Sequence, residues 1–253
     1  MRDEQSLEGK LLSQEAKRRV LHELDEVEQI DIEVQTDVLK IVQGQANAVS
    51  VSGQGLVIRE DIRVQEIKLQ TDSIAINPLS ALLGQIKLDE PVKALARIIL
   101  TETDINRTLS SDFTRSLGIN FDVNVDGEIV NFESQKIQVF LPGDDQIEFR
   151  GKLLLKEKGN TRSLAYQAIV HPRTSSQPLM LESFNCTEGQ GMSIELIVAL
   201  MQKVKELVNQ PYFEWDEMKF SVKNLELEKG SLTLLVEAYV RQIPLSSNVL
   251  SPE

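Results

Sequence analysis

The sequence predicts an α+β protein built mainly on antiparallel β-sheet. Apolar and polar residues alternate along most of the chain, which is the period of half-buried strands. Short turn sequences separate these runs, so that strands follow strands instead of alternating with helices. Only three segments show the spacing of an amphipathic helix. We therefore expect antiparallel sheet accompanied by a few helices.

Four stretches carry the strand alternation most clearly. Their apolar sets are Ile30, Ile32 and Val34; Val92, Ala94, Ala96, Ile98 and Leu100; Ile137, Val139 and Leu141; and Leu232, Leu234, Val236, Ala238 and Val240. Three glycine-containing sequences between such runs predict hairpin connections. These are Pro142-Gly143-Asp144-Asp145, Lys158-Gly159-Asn160 and Lys229-Gly230-Ser231.

The first two helices are predicted near the N-terminus and after the strand that ends at Leu100. At about 7–24 an apolar set is spaced mostly four residues apart, with charged residues on the other face. The set is Leu7, Leu11, Leu12, Ala16, Val20 and Leu24. The sequence Thr101-Glu-Thr-Asp104 has the form of a capping box and predicts a short connecting helix. Capping then explains the paired acids Glu102 and Asp104 without catalysis.

A third helix is predicted between Gly191 and Pro211. Gly189-Gln-Gly191 lacks the third glycine of a dinucleotide-binding loop. We expect these glycines to shape the helix entrance in preference to holding a phosphate at the helix N-terminus. One apolar stripe follows, made of Ile194, Ile197, Val198, Met201, Val204 and Val208. The unbroken apolar run from Leu196 to Met201 predicts that the first half of this helix is buried nearly all round.

One segment matches the calcium-loop pattern at every constrained position. Its weakly indicated ligands are Asp122, Asn124, Asp126 and Glu133. A calcium loop lies between helices, whereas alternation on both sides of this segment predicts strands. If Asp126-Gly127 is a type I′ turn, Val123 falls opposite Val130 and Phe121 opposite Phe132. We favour this hairpin and expect no metal site.

Composition argues against nucleic-acid binding and against catalysis. The net charge of -12 repels a phosphate backbone. Cys186 is the only cysteine, and His22 and His171 are the only histidines. No triad or P-loop pattern is present. We expect no enzyme activity and no cofactor. The run Lys17-Arg18-Arg19 is either a solvated helix face or a contact for anionic lipid heads.

The chain carries no targeting signal that we recognise. Its first ten residues are polar and charged, and no stretch approaches the roughly 18 apolar residues of a membrane-spanning helix. We expect a cytoplasmic or peripheral membrane protein without a signal peptide or transmembrane helix. Residues 1–244 are expected to form a single domain, and 245–253 a flexible tail.

Seven segments, taken in order, resemble the LmeA-like phospholipid-binding family, in a cyanobacterial-type member. They begin Leu39-Lys-Ile-Val, Val51-Ser-Gly-Gln, Ile74-Ala-Ile-Asn, Leu100-Thr-Glu-Thr, Leu154-Leu-Lys-Glu, Leu181-Glu-Ser-Phe and Leu200-Met-Gln-Lys. The resemblance spans roughly Leu12 to Pro244. It implies a tubular lipid-binding fold, in which a highly curved antiparallel sheet wraps around helices and leaves an elongated apolar groove. Family members bind phospholipids and are associated with envelope maintenance, usually after export.

The expected ligand is therefore a phospholipid or another amphipathic lipid, bound without chemistry. Candidate groove residues lie on the third helix, where they equally suit an ordinary core: Ile194, Ile197, Val198, Met201, Val204 and Leu207. The apolar segment with Pro78, Leu79, Leu82 and Leu83 is a candidate for transient membrane contact or for packing under a hairpin. The alternative function is a structural or adaptor domain that binds an unknown protein partner and no lipid.

Overall fold

The computed structural model describes residues 6–58, 62–76, 88–112, 114, 120–157, 159–173, 178–189, 191–208, 213–215 and 218–241. These residues form four helices: α1 (Leu7–Glu23), α2 (Val38–Val42), α3 (Glu102–Ser110) and α4 (Ile194–Val208). They also form fourteen strands. The strands are β1 (Gln29–Gln35), β2 (Gln45–Ala46), β3 (Ala48–Ile58), β4 (Ile62–Thr71), β5 (Ile74–Ala75), β6 (Val92–Thr101), β7 (Asn120–Val125), β8 (Glu128–Gly143), β9 (Gln146–Glu157), β10 (Asn160–His171), β11 (Met180–Glu188), β12 (Phe213–Trp215), β13 (Met218–Glu228) and β14 (Ser231–Val240).

The strand pairs with a described register are antiparallel, which confirms the predicted β-rich architecture. The chain divides into two compact units. The first comprises Met1–Ile99, Tyr212–Asn224 and Thr233–Glu253, and the second comprises Leu100–Pro211 and Leu225–Leu232. The single domain expected over 1–244 stays a prediction, and the expected tail at 245–253 lies outside the described residues.

A seven-stranded sheet in the order β1-β3-β4-β6-β14-β13-β12 dominates the first unit. The register places Ile32, Val51, Leu69 and Ala96 side by side on its apolar face. The predicted alternation is confirmed in β1 and in the first half of β6, where every second residue is buried. It does not separate two faces in β14, which is half-buried along its whole length.

Helix α1 is present where the sequence predicts it, but its leucines do not form its packing face. Gly9 and Ser13 are its buried residues, whereas Leu7 and Leu11 are exposed. Two small residues spaced four apart allow the helix backbone to approach β1 closely. The hydroxyl of Ser13 accepts a hydrogen bond from the Val34 amide at 2.8 Å, which fixes the helix on this edge strand.

Helix α2 is a short element that our sequence analysis missed. The Asp37 carboxylate accepts a hydrogen bond from the Lys40 amide at 3.0 Å and caps the helix N-terminus. The sequence signal for this helix is an aspartate directly before the mostly apolar segment Val38–Val42. None of the five residues of α2 is buried.

A five-stranded antiparallel sheet in the order β11-β10-β9-β8-β7 forms the frame of the second unit. The β7–β8 register pairs Val123 with Val130 and Phe121 with Phe132, as predicted. Asp126 and Gly127 have φ values of 52° and 89°, as the two central positions of a type I′ turn require. The two predicted hairpins that flank β9 and the one between β13 and β14 are also present.

Helix α3 carries the predicted capping box and docks on the exposed edge of β8. The Thr101 hydroxyl accepts a hydrogen bond from the Asp104 amide at 3.1 Å, and the Asp104 carboxylate accepts one from the Thr101 amide at 3.4 Å. The Glu102 carboxylate accepts from the Leu141 amide at 2.7 Å. The Asn106 side chain accepts from the Val139 amide and donates to its carbonyl, at 2.8 and 2.6 Å. These acids are structural, as the sequence indicated.

Candidate functional site

The core of the second unit lies between one face of the five-stranded sheet and helix α4. The buried sheet residues are Val123, Val130, Phe132, Leu153, Leu155 and Leu164. Leu196 of α4 is buried among them, and Ala199 and Leu200 pack against the same cluster. Successive positions three to four residues apart lie on one side of a helix, so these three residues define its core face.

The entrance to α4 is fixed by local geometry. Gly189 has φ of 87°, and a Cβ atom there would lie 2.6 Å from the Ser163 carbonyl oxygen, so only glycine fits. The Ser193 hydroxyl accepts a hydrogen bond from the Leu196 amide at 3.3 Å. Hydrogen bonds from the Glu195 backbone and from Ser193 lower the pKa of the Glu195 carboxyl. Gly189 therefore shapes the helix entrance, as predicted, whereas a Cβ atom at Gly191 would meet nothing within 4 Å.

A second group of apolar residues on α4 lies outside this core cluster. By helical periodicity Ile194, Val198 and Met201 lie opposite Leu196, and Ile197 and Val204 lie on the flank between the two sides. We call these five residues the outer apolar face of α4. Ile194 is 75% exposed and Val198 49% exposed, and the other three are half-buried. The prediction that the first half of the helix is buried nearly all round is therefore wrong. The side chain of Leu207, the sixth candidate, lies outside the described residues.

Polar residues form one edge of the same helix, and the exposed Lys205 lies at the same angle around the axis as Ile194 and Val198. Glu195, Gln202 and Glu206 are exposed and lie on one side by helical periodicity. A surface helix ordinarily has one apolar stripe, and the rest of its circumference is polar. Helix α4 instead has a core face, an outer apolar face and a polar edge. The outer apolar face can contact a hydrophobic ligand without disturbing the core.

Two surface cavities combine polar and apolar groups in their walls. One of about 440 Å³ lies against the five-stranded sheet, with Lys136, Gln138, Arg150, Lys152 and Gln167 in its wall. The other, of about 350 Å³, lies on the seven-stranded sheet. Its lining includes Asp31, Glu33, Ser50, Lys68 and Gln70. The wall of the second cavity also includes Val51, Leu69, Leu95 and Leu235, so it joins charged and apolar side chains.

The predicted membrane-contact and calcium residues have different outcomes. Pro78, Leu79, Leu82 and Leu83 lie outside the described residues.

Asp122, Asn124, Asp126 and Glu133 lie on the β7–β8 hairpin, not on a helix-flanked loop. Asp122 accepts a hydrogen bond from Asn131 at 2.8 Å, and Glu133 pairs with Lys156 at 2.6 Å. Among the described residues, no group of three or more His, Cys, Asp or Glu side chains is arranged to hold a metal ion.

The histidines and the cysteine are not brought together. His171 pairs with Glu182 at 2.8 Å on the β10–β11 edge, whereas His22 lies in the last turn of α1. Cys186 packs beside the core of the second unit. No helix in the part of the chain that the structure describes is long and apolar enough to cross a membrane.

Comparison with known proteins supplies the family. No curated protein and no solved structure matches this chain significantly. A family model does match, over residues 3–237, and thus covers both compact units almost completely. Its members are phospholipid-binding proteins, in agreement with the apolar helix face that lies outside the core. The chain belongs to the LmeA-like phospholipid-binding family.

Proposed function

We propose that the protein binds a phospholipid non-covalently and uses the outer apolar face of α4 to hold its acyl chains. The observation that carries this proposal is the exposure of Ile194 and Val198 on a helix whose opposite side is already packed in a core. Each acyl methylene that leaves water against such side chains contributes roughly 0.8 kcal/mol. Family membership supports phospholipid as the ligand class.

The proposed binding site is an elongated groove formed where antiparallel sheet curves around the helices. Its residues are Ile194, Ile197, Val198, Met201, Val204 and Leu207. The polar head group stays at the groove opening, in contact with water. No bond in the lipid is made or broken, and the protein serves lipid transfer or envelope maintenance. Catalysis, a cofactor and nucleic-acid binding form no part of this proposal.

A charge placed on the outer apolar face tests the site. We expect Val198→Asp to reduce bound phospholipid by about tenfold or more, because an acyl chain cannot solvate a carboxylate. Gln202→Asp adds the same charge on the polar edge of the same helix and should leave binding unchanged. The measurement is native mass spectrometry after incubation with phosphatidylglycerol vesicles, with circular dichroism as the control for folding.

The outcomes separate the site from the function. If Val198→Asp retains the lipid that the wild type binds, the acyl chains lie elsewhere. If the wild type itself takes up no lipid from vesicles or from detergent micelles, phospholipid binding is refuted, and the adaptor function becomes the better explanation. A preserved circular dichroism spectrum is expected, since Val198 is half exposed and makes no part of the core cluster.

We also propose transient membrane contact by the segment that contains Pro78, Leu79, Leu82 and Leu83. The described residues on either side of this segment are Ile76 and Leu88, and these two form an antiparallel bridge. Two adjacent leucines after a proline give the segment an apolar character that suits the acyl boundary of a bilayer. Leu82→Asp with Leu83→Asp should reduce flotation with liposomes while the circular dichroism spectrum stays unchanged. Flotation of this variant at the level of the wild type rules the contact out.

A further inference from the structure

We propose that helices α1 and α2 form a bilayer-docking surface of the first unit. The surface consists of Leu7, Leu11, Val38, Leu39 and Val42, and we call it the α1–α2 apolar patch. All five side chains are between 59 and 76% exposed. Single exposed leucines are ordinary in folded proteins, but five large aliphatic side chains on two adjoining helices are not.

The two helices are tied together where both begin. The Ser6 hydroxyl, which caps α1, donates a hydrogen bond to the Thr36 carbonyl at 3.0 Å. Thr36 lies one residue before Asp37, the N-cap of α2. Leu7 follows Ser6 directly, and Val38 follows Asp37 directly. The first apolar residue of each helix therefore lies next to the junction.

Helical geometry gives α2 an apolar face with no core to cover. Val38, Leu39 and Val42 fall within about 100° of one another around the axis and share one side. A soluble helix buries such a side and exposes its polar one. In α2 the apolar side is the exposed one, while Lys40 reaches back to the Asn47 side chain.

Charge complementarity identifies the occupant as an anionic lipid surface. Over α1, four basic residues outnumber three acidic ones, although the whole chain has a net charge of -12. Lys10 and Arg18 are exposed and share the outward side of α1 with Leu7 and Leu11. Glu15 is engaged by Arg18 and Arg19 at 2.8 and 3.0 Å. Leucine mixed with Lys and Arg on one helix side is typical of helices that lie in the membrane interface.

The alternative interpretation of the basic residues on α1 is an ordinary solvated helix face. A solvated face needs no apolar residues, whereas here Leu7, Lys10 and Leu11 are neighbours within one turn. Docking goes beyond the proposed function and rests on it only for the reason to visit a bilayer. A protein that binds phospholipid has to meet the membrane that holds its ligand.

Vesicle flotation of the full chain tests the patch. We expect Leu39→Asp with Val42→Asp to lower the fraction bound to phosphatidylcholine and phosphatidylglycerol vesicles by about tenfold. Gln54→Asp with Ser73→Asp adds the same charge at exposed polar positions of the same unit and should float like the wild type. Lys10→Glu should weaken binding to the mixed vesicles and leave binding to pure phosphatidylcholine unchanged, because it alters only the electrostatic contribution.

Three further results decide the interpretation. Undiminished flotation of the Leu39→Asp with Val42→Asp variant overturns the proposal. So does a wild-type dimer in analytical ultracentrifugation that this variant converts to monomer, since the patch is then a self-interface. Uptake of phospholipid from detergent micelles bypasses docking, so the variant should keep it. Failure of the wild type to take up lipid from micelles refutes the proposed function instead of the docking surface.

Discussion

The Ser13 hydroxyl accepts a hydrogen bond from the Val34 amide at 2.8 Å and donates one to the Gly9 carbonyl at 2.7 Å. Val34 lies on β1, the edge strand of the seven-stranded sheet, so its amide points where no neighbouring strand can accept it. The Ser13 hydroxyl therefore gives the Val34 amide of the edge strand its hydrogen-bond partner and orients α1 on that strand. This contact explains why α1 packs through small residues and leaves its leucines exposed.

Replacing this hydroxyl should be costly. We expect Ser13→Ala to lower the free energy of unfolding by about 1–3 kcal/mol, because the buried Val34 amide loses its partner. The exposed neighbour Gln14 provides the control, and Gln14→Ala should change stability by less than about 0.5 kcal/mol. Urea denaturation followed by circular dichroism measures both. Equal stability of the Ser13→Ala variant and the wild type would show that water replaces the hydroxyl.

The β7–β8 turn should depend on glycine at one position only. Gly127 has φ of 89°, and a Cβ atom there would meet nothing within 4 Å. The expected loss for Gly127→Ala is therefore pure backbone strain of about 1–2 kcal/mol. Asp126→Asn should leave stability unchanged or higher, because asparagine tolerates the left-handed conformation of a type I′ turn. Thermal unfolding of the two variants gives the comparison.

The same hairpin should not bind calcium. Three of its four matching side chains engage their own neighbours: Asp122 accepts from Asn131, Asn124 accepts from the Gly127 amide, and Glu133 pairs with Lys156. A calcium site needs six to eight oxygen ligands that converge on one point. Isothermal titration of the protein with calcium should give only the heat of dilution. A saturable heat that Asp122→Asn removes would restore the calcium-loop interpretation.

The Glu237 carboxylate should make stability depend on pH in the acidic range. Lys223 and Lys93 bind it at 2.8 and 2.9 Å and lower its pKa from 4.5 to about 2. A carboxyl whose folded pKa is depressed stabilises the protein above the unfolded value and loses that contribution as pH falls through the folded one. The stability difference between wild type and Glu237→Gln should therefore be full above pH 4.5 and vanish near pH 2.

Chemical denaturation across this pH range measures the difference. Glu23→Gln, at the exposed end of α1, serves as the matched control for the removal of one surface carboxylate. A gap between wild type and Glu237→Gln that stays constant down to pH 2 would contradict the assigned ion pairs.

The sequence alone determined the features that rest on local interactions. Alternation in β1 and β6 follows from the pleat of a strand, the Asp126-Gly127 turn from backbone sterics, and the α3 capping box from hydrogen bonds within one turn. The family resemblance, based on the order of seven segments, was confirmed by the match over residues 3–237. Each of these features can be recognised from the amino-acid sequence without knowledge of which distant segments pack together.

Only the tertiary structure decided which apolar residues are buried. Periodicity shows that a helix has an apolar side, but it cannot show which side meets a core. In α1 the close approach to β1 favoured Gly9 and Ser13 over Leu7 and Leu11. In α4, Leu196 packs against the five-stranded sheet, whereas Ile194 and Val198 are exposed. The partner of an apolar side chain is set by strands distant in sequence, and those contacts decide which hydrophobic residues remain available to a lipid.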